Sequence, residues 1–384
     1  MSRGKTALVC AGGGITGALY EVGALLALDR LLDRSVVDLD LYVGVSGGAF
    51  VAALLAGGIP PAEIYHDAAS SAQVALPRSL TLLRPGLGEL VKRSRHAPTV
   101  LTAALSAALR GEARNLTDLG LPLFELLPPG LLDNSGVGEL VAELLRSKGQ
   151  PDRFEKLARE LYVVAVDLDS GEAVTFGEEG QPRVPVSRAV QASTALPGLC
   201  RPVRLGRRDF VDGGVRKTAH VSLAIRHGAR LVICINPIVP ILNAPLRGPL
   251  GGRRLSDLGV TYVLDQVLRI VLHGRVQYGL ERYRAEHPEV DILVVEPPRD
   301  DMSMFRYNMM RYSARRIAAE DGYRSVVRAF RRHARAYGRL LGRHGIGMRD
   351  PHAVPETPPP PTYRSKLARR LGSSLERLRS SLEG

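Results

Sequence analysis

Short apolar runs and amphipathic segments alternate through the first sixty residues of the chain. Residues 6–10 and 39–45 are largely apolar runs of strand length. Residues 15–32 carry apolar side chains at helical spacing with the charged Glu21 on the opposite face, and residues 47–56 predict a second helix. Two strand-helix units in this order predict an α/β fold in which a parallel sheet is covered by helices.

The alternation is lost between residues 60 and 155 and then returns. This stretch is rich in Leu, Ala, Pro and Gly, and its helical segments at 79–95 and 137–147 predict a helical cap inserted into the sheet domain. Further strands are predicted at residues 161–167, 173–176, 208–211, 231–236 and 290–295. A C-terminal helix over 311–341 closes a main domain that we place at residues 1–345.

The end of the chain differs from the rest in proline content and in charge. Residues 346–362 predict a stiff proline-rich linker, and residues 363–384 place five leucines on one helical stripe beside six Arg and Lys, a basic amphipathic helix. The last 84 residues contain 18 Arg and Lys against 7 Asp and Glu, so they hold +11 of the net charge of +13. Because the remaining body is nearly neutral, this distribution favours peripheral contact of the tail with an anionic membrane surface. Pairing with another subunit and contact with nucleic acid are the alternatives, and the oligomeric state stays open.

Composition narrows the class of protein further. With 45% hydrophobic and 24% charged residues, the 384-residue chain has the composition of a globular protein with a large core. Its three cysteines, Cys10, Cys200 and Cys234, are far apart, with no CxxC or Cys/His cluster, which excludes a disulfide framework and gives no metal site. The longest uncharged apolar run of the middle region, residues 97–109, is too short for the roughly 18 residues of a membrane span, and no signal peptide fits the N-terminus. We therefore expect a cytoplasmic protein in a reducing compartment, with contact at the inner membrane surface.

A GxSxG motif, Gly44-Val45-Ser46-Gly47-Gly48, lies where the second strand ends and the next helix begins. A serine in such a sharp turn has a strained backbone that holds its hydroxyl out into a cleft, and the flanking glycines remove the side chains that would collide there. This context indicates that Ser46 is a nucleophile.

The glycine-rich turn after the first strand allows two functions. Gly12, Gly13 and Gly14 place backbone N–H groups at a helix start, where they could stabilise the oxyanion of a tetrahedral intermediate. Together with Gly17 they also satisfy GxGxxG, the dinucleotide fingerprint, which needs an acid at the carboxyl end of the second strand. Asp38 and Asp40 instead precede or begin that strand, so the pattern favours the oxyanion role; a tight turn without function is the alternative.

Asp212 supplies a candidate base, since a serine nucleophile needs a proton acceptor. Asp212-Gly213-Gly214 follows the strand at 208–211, although an isolated Asp-Gly-Gly is most often a simple turn. The rival is a Ser-Asp-His triad of the α/β-hydrolase type, whose histidine would be one of His220, His227 and His287. An elbow at residue 46 leaves room for only one preceding strand, where that fold has several.

Taken together, these motifs resemble the patatin-like phospholipases. The resemblance covers about residues 5–330 and rests on four motifs in order, namely the glycine-rich turn, GxSxG, Ala192-Ser193-Thr194-Ala195-Leu196-Pro197-Gly198-Leu199, and Asp212-Gly213-Gly214. One departure is Thr16, which occupies a position where the family usually has Arg or Lys.

The resemblance implies a three-layer fold with a central mostly parallel sheet, and a Ser46-Asp212 dyad with an oxyanion hole formed by Gly12, Gly13 and Gly14. Gly17, Gly44, Gly48, Gly213 and Gly214 would support these turns. The implied activity is hydrolysis of carboxylic esters of phospholipids or lysophospholipids through an acyl-serine, without metal or cofactor. An acyltransferase using the same dyad and a catalytically silent lipid binder are the alternatives.

Overall fold

A computed structural model describes residues 4–69, 83–85, 102, 106, 128–243, 250, 252–299 and 315–360. Its strands are β1 Lys5–Cys10, β2 Leu41–Val45, β3 Arg84–Pro85, β4 Gly130–Asp133, β5 Glu160–Asp167, β6 Ala173–Phe176, β7 Gly198–Cys200, β8 Val203–Leu205, β9 Arg208–Asp212, β10 Ala229–Ile235 and β11 Asp291–Val295. Its helices are α1 Gly14–Leu31, α2 Gly47–Ala56, α3 Pro61–Ala69, α4 Ser135–Ser147, α5 Val186–Ser193, α6 Val221–Arg226, α7 Val260–Glu286, α8 Arg315–Arg332 and α9 Ala334–Arg343.

The main sheet has the strand order β11-β10-β1-β2-β5-β9-β8, with β6 paired to β5. The pairs from β11 to β5 are parallel, whereas β6, β9 and β8 join in antiparallel fashion. The prediction of an α/β fold with a central, mostly parallel sheet is therefore confirmed. Strand β2 ends at Val45, level with Val164 of β5, and the antiparallel β9 ends at Asp212, opposite Ala165 of β5. The serine and aspartate motifs therefore meet on either side of β5.

Helices cover both faces of this sheet. Side chains on one face, such as Leu8 and Ile233, pack with α1, α2, α5 and α8. The alternate side chains of the same strands, such as Val9 and Val232, pack with α6 and the C-terminal half of α7. The period-2 alternation of each strand thus supplies a separate hydrophobic core to each of the two helix layers.

The burial of Glu21 corrects the prediction for α1. The sequence pattern placed Glu21 on the solvent face, but this side chain is fully buried. Helix α8 covers the outer side of α1, so closely that a Cβ at Gly322 would lie 2.0 Å from the carbonyl oxygen of Tyr20. Tyr20 and Ser325 add a hydroxyl-hydroxyl hydrogen bond of 2.6 Å across the same contact. The prediction was wrong because α1 is apolar almost all round, and such a helix is covered on several sides.

The C-terminal part of the described chain packs onto α8. The helix predicted over 311–341 is two helices, α8 and α9, with His333 between them. From α8, Arg331 donates hydrogen bonds to the backbone carbonyls of Pro351 and Val354, and its guanidinium pairs with Glu356 at 2.7 Å. The described part of the predicted linker is thus held against the domain.

Some predicted elements lie outside the described residues, and several described helices were not predicted. Of the helix predicted at 79–95 only residues 83–85 are described, and there the prediction was wrong, since Arg84–Pro85 is strand β3, paired with β4. The basic tail at 363–384 falls outside the described ranges, and the division into domain, cap, linker and tail stays a prediction. The sequence analysis predicted no helix at α5, α6 or α7, and α7 is the longest of these with 27 residues. No helix within the described ranges is long and apolar enough to span a membrane.

Candidate active site

Ser46 lies in a strained turn between β2 and α2. Its φ of 54° makes it the one non-glycine residue with positive φ in the described part of the chain. Its neighbours leave no room for side chains, since a Cβ at Gly48 would lie 2.4 Å from the carbonyl oxygen of Cys10. The backbone therefore has the strained strand-to-helix geometry expected of a GxSxG serine, with Ser46 at the N-terminus of α2.

Ser193 fastens this turn to the sheet. The Ser46 backbone N–H donates to the Ser193 hydroxyl oxygen at 2.9 Å, and the Ser193 hydroxyl donates to the Val164 carbonyl at 2.6 Å. All three residues are buried, so both bonds are shielded from water. Sequence reasoning assigned Ser193 no role of its own; its only signal was its place in the Ala192 to Leu199 stretch.

Asp212 ends β9 and is buried beside Ser46. Its side chain is 3% exposed, and burial raises its pKa to about 6. Hydrogen bonds from the Ser46 side chain and from the Gly214 amide, the latter at 2.8 Å, oppose this shift because they stabilise the charged carboxylate. The Asp212 backbone N–H donates to the Ala195 carbonyl, so the Ala192 to Leu199 stretch also positions the carboxylate. At neutral pH this carboxylate is mostly ionised and contacts the serine hydroxyl.

The glycine-rich turn lies directly beside these two side chains. Helix α1 begins at Gly14, whose φ is 60°, and the first amides of a helix have no acceptor within the helix. The Gly12 amide, in contrast, donates to the Thr218 carbonyl at 2.9 Å. This bond occupies the Gly12 donor, which narrows the predicted oxyanion hole to the amides of Gly13 and Gly14.

One apolar cavity of about 440 Å³ contains the predicted site residues Gly12, Gly13, Gly14, Ser46 and Asp212. Most of its wall is aliphatic or aromatic and comes from α1, α2, α3, α4 and α7, including Leu19, Val22, Phe50, Leu54, Ile64, Leu140, Leu144, Leu268 and Leu272. Of the supporting glycines, Gly44 lies at the end of β2, Gly17 and Gly48 lie near the starts of α1 and α2, and Gly213 and Gly214 directly follow β9. Such a wall suits a hydrocarbon chain rather than a dinucleotide.

The three histidines of the rival triad lie elsewhere. His220 is buried, which lowers its pKa to about 3, while His227 stacks on Tyr162 and bonds to Glu178. His287 lies beside Glu289. Among the described residues that line the Ser46 cavity there is no histidine. The arrangement therefore favours a dyad.

Comparison with known families agrees with this geometry. A family model described as patatin-like phospholipase matches residues 8–225, more than half of the chain. The chain belongs to this family. The matched range includes both Ser46 and Asp212.

Individual relatives are distant. A probable lipid hydrolase, 463L of Invertebrate iridescent virus 6, is 23% identical over 220 residues, which are 57% of this chain and 63% of that protein. The match thus spans less than two thirds of the relative.

Two solved structures show only loose overall similarity. VipD from Legionella pneumophila is 15% identical with a TM-score of 0.38, over 91% of this chain and 68% of VipD. Human GIVD cytosolic phospholipase A2, solved with methyl gamma-linolenyl fluorophosphonate, is 13% identical with a TM-score of 0.37, over 89% of this chain and 59% of the human protein. Similarity at this level identifies neither substrate nor mechanism.

Proposed function

We propose that this protein is a serine lipid acyl hydrolase that cleaves carboxylic esters of phospholipids or lysophospholipids. The observation that carries the proposal is the shared cavity, in which a strained serine, a buried carboxylate and a helix N-terminus meet at one end of an apolar space. Apolar walls with a few convergent polar groups are typical of sites that bind a hydrocarbon substrate and orient its reactive bond.

In the first half-reaction, the Ser46 hydroxyl attacks the ester carbonyl carbon while Asp212 accepts its proton. Negative charge develops on the carbonyl oxygen, facing the amides of Gly13 and Gly14 and the N-terminus of α1. Collapse of the tetrahedral intermediate breaks the bond to the leaving alcohol, which takes the proton from Asp212. The products of this step are the free alcohol and an acyl-serine.

The second half-reaction uses the same groups on a water molecule. Asp212 accepts a proton from the water, whose oxygen attacks the acyl carbonyl, and returns that proton to the Ser46 oxygen as the fatty acid departs. A carboxylate is a weak base for a hydroxyl, and burial compensates in part because it raises the pKa of Asp212 to about 6. The amides of Gly13 and Gly14 supply most of the remaining stabilisation of the transition state, on the order of 3 kcal/mol for one such hydrogen-bond donor.

The test combines labelling of the nucleophile with analysis of products. A fluorophosphonate probe should label Ser46 in the full chain, and mixed phospholipid or lysophospholipid substrates should release fatty acid. Ser46→Ala should abolish both, and Asp212→Asn should abolish turnover with folding retained, whereas the matched control Ser256→Ala, at an exposed serine, should behave as wild type.

Three results would contradict the proposal in different ways. Unlabelled Ser46 would favour a silent lipid binder, and transfer of the acyl group to an added alcohol in place of release would make the enzyme an acyltransferase. If Asp212→Asn kept wild-type turnover while a histidine substitution abolished it, the base would be a histidine.

A further inference from the structure

The first turns of α7 expose an unusual concentration of large apolar side chains. Leu264 is 62% exposed, and the exposed set comprises Val260, Val263, Leu264, Val267, Leu268, Ile270 and Val271. We call these seven residues the α7 apolar face. An apolar patch of this kind on a folded chain marks an interaction site rather than ordinary surface.

The helix geometry separates this face from the core. At 100° per residue, the buried Arg269, His273, Val276 and Leu280 lie on one side of α7. The α7 apolar face lies on the other side, directed away from the sheet. These side chains therefore contribute nothing to the core beneath α7. Because exposed apolar surface is unfavourable in water, we expect an external partner to cover them.

This face adjoins the opening of the Ser46 cavity. Leu268 belongs to the face and also lines the cavity, and Leu272, one turn further along, lines it too. Val215, which is half-exposed, lines the cavity from the Asp212 side. Leu268 thus connects the α7 apolar face to the wall of the cavity that contains Ser46.

Further along the same side of α7, the chemistry changes from apolar to aromatic and basic. Tyr278 is 71% exposed, and Arg275 and Arg282 point to the same side by helical spacing. Arg275 also donates a hydrogen bond to the Val215 carbonyl at 3.0 Å, which keeps it beside the cavity opening. Aliphatic side chains followed by tyrosine and arginine match the passage from acyl chains to phosphate headgroups at a membrane interface.

We propose that the α7 apolar face docks into the surface of a phospholipid bilayer, with Arg275, Tyr278 and Arg282 at headgroup level. The proposal rests on the function proposed above, because the docked bilayer would then deliver substrate directly to the cavity. A protein partner on this face, including a second copy of the chain, would cover the cavity opening at Leu268. A bilayer, in contrast, is both the apolar partner and the source of the substrate.

The experiment compares vesicle binding by full-length variants. All carry Ser46→Ala so that binding is measured without turnover, and the probe is phosphatidylcholine vesicles with phosphatidylglycerol as the minor lipid. Leu264→Glu combined with Val267→Glu should lower the partition coefficient at least about tenfold, since each buried aliphatic side chain is worth about that factor. The matched control Ile317→Glu, at an exposed residue of α8 on the opposite side of the sheet, should bind as the parent.

A second measurement does not depend on the folding of the double variant. The three native cysteines are buried, so Val267→Cys can carry an environment-sensitive fluorophore, with Ile317→Cys as its control. Vesicles should shift the Val267 label to the emission of an apolar environment and leave the Ile317 label unchanged.

Each contrary result is specific. Unchanged vesicle binding by the double glutamate variant, with no shift of the Val267 label, would overturn the proposal and favour the basic tail as the membrane contact. A dimer in solution that Leu264→Glu converts to monomer, with vesicle binding intact, would assign the face to a second copy. With Ser46 restored, a double glutamate variant that loses vesicle binding but hydrolyses a soluble short-chain ester at the wild-type rate would support docking. Absence of ester hydrolysis in the wild-type protein would count against the proposed function alone.

Discussion

Helices α1 and α7 flank the same sheet, and both are rich in apolar side chains, but their surroundings differ. Thirteen of the eighteen residues of α1 are buried, because the sheet covers one side and α8 the other. Only five of the twenty-seven residues of α7 are buried, and its first turns expose seven large apolar side chains. A high apolar content therefore indicates that a helix is shielded from water on several sides. It does not identify what shields the helix, which is another helix for α1 and, as we propose, a bilayer for α7.

The tight contact on α1 can be broken by one methyl group. In Gly322→Ala the new Cβ would lie 2.0 Å from the Tyr20 carbonyl oxygen, and backbone on both helices would have to move. We expect the free energy of unfolding to fall by about 3 kcal/mol, as for an overpacked core. Denaturant titration measures it, and a loss below about 1 kcal/mol would show that the α1 and α8 contact is looser than described.

Glu21 tests the burial of α1 through pH. Burial raises the pKa of Glu21 well above its ordinary value of 4.5, so the folded protein keeps a proton that the unfolded chain releases. The stability that this proton provides is complete below about pH 4.5 and is lost as the pH rises toward the folded pKa, at about 1.4 kcal/mol per pH unit.

Glu21→Gln removes this titration. Relative to the variant, wild type should lose stability steadily as the pH rises from about 4.5, which denaturant titrations at several pH values would reveal. Parallel stability curves for the two proteins would mean that the carboxyl reaches water. The two glutamates of the double variant on the α7 apolar face would be exposed to water, so their titration is expected to add no such steep dependence.

Asp212 ends β9 beside the Ser46 cavity, and its pKa reports how well the cavity excludes water. Because its pKa is raised to about 6, the aspartate is protonated and unable to accept a proton below that pH. We expect kcat/KM on a soluble short-chain ester to fall about tenfold per pH unit below pH 6. His227→Gln should leave this acidic limb of the pH profile of kcat/KM unchanged. A limb near pH 4 would show that Asp212 has the surroundings of an exposed carboxylate.

The smallest effect is expected in α7, the more exposed of the two helices. A Cβ at Gly274, in the middle of α7, would meet no atom within 4 Å. Gly274→Ala should therefore raise the free energy of unfolding by about 0.5 to 1 kcal/mol through helix propensity alone. Thermal unfolding should show a higher Tm for Gly274→Ala and a lower Tm for Gly322→Ala. Equal losses of Tm in the two variants would show that α7 is packed against other residues at Gly274.

The elements around the site were largely predictable because their signals are local. The helix predicted at 47–56 is α2, and the strands and helix on either side of the glycine-rich turn begin and end within two residues of the predictions. Ser46 and Asp212 were identified by the turns that hold them, and the structure places both in one cavity. Their catalytic roles remain predictions until the variants are measured.

The sequence by itself determined where the first two strands turn into helices, since period-2 and helical patterns and the steric freedom of glycine act over a few neighbouring residues. The tertiary structure alone decided which helix faces are covered, which is why Glu21 is buried and the α7 apolar face is exposed. It also decided that Ser193 bonds the backbone of Ser46, 147 positions away, and that Thr218 occupies the amide of Gly12. Contacts over such separations depend on how whole elements pack, and no local pattern along the chain encodes them.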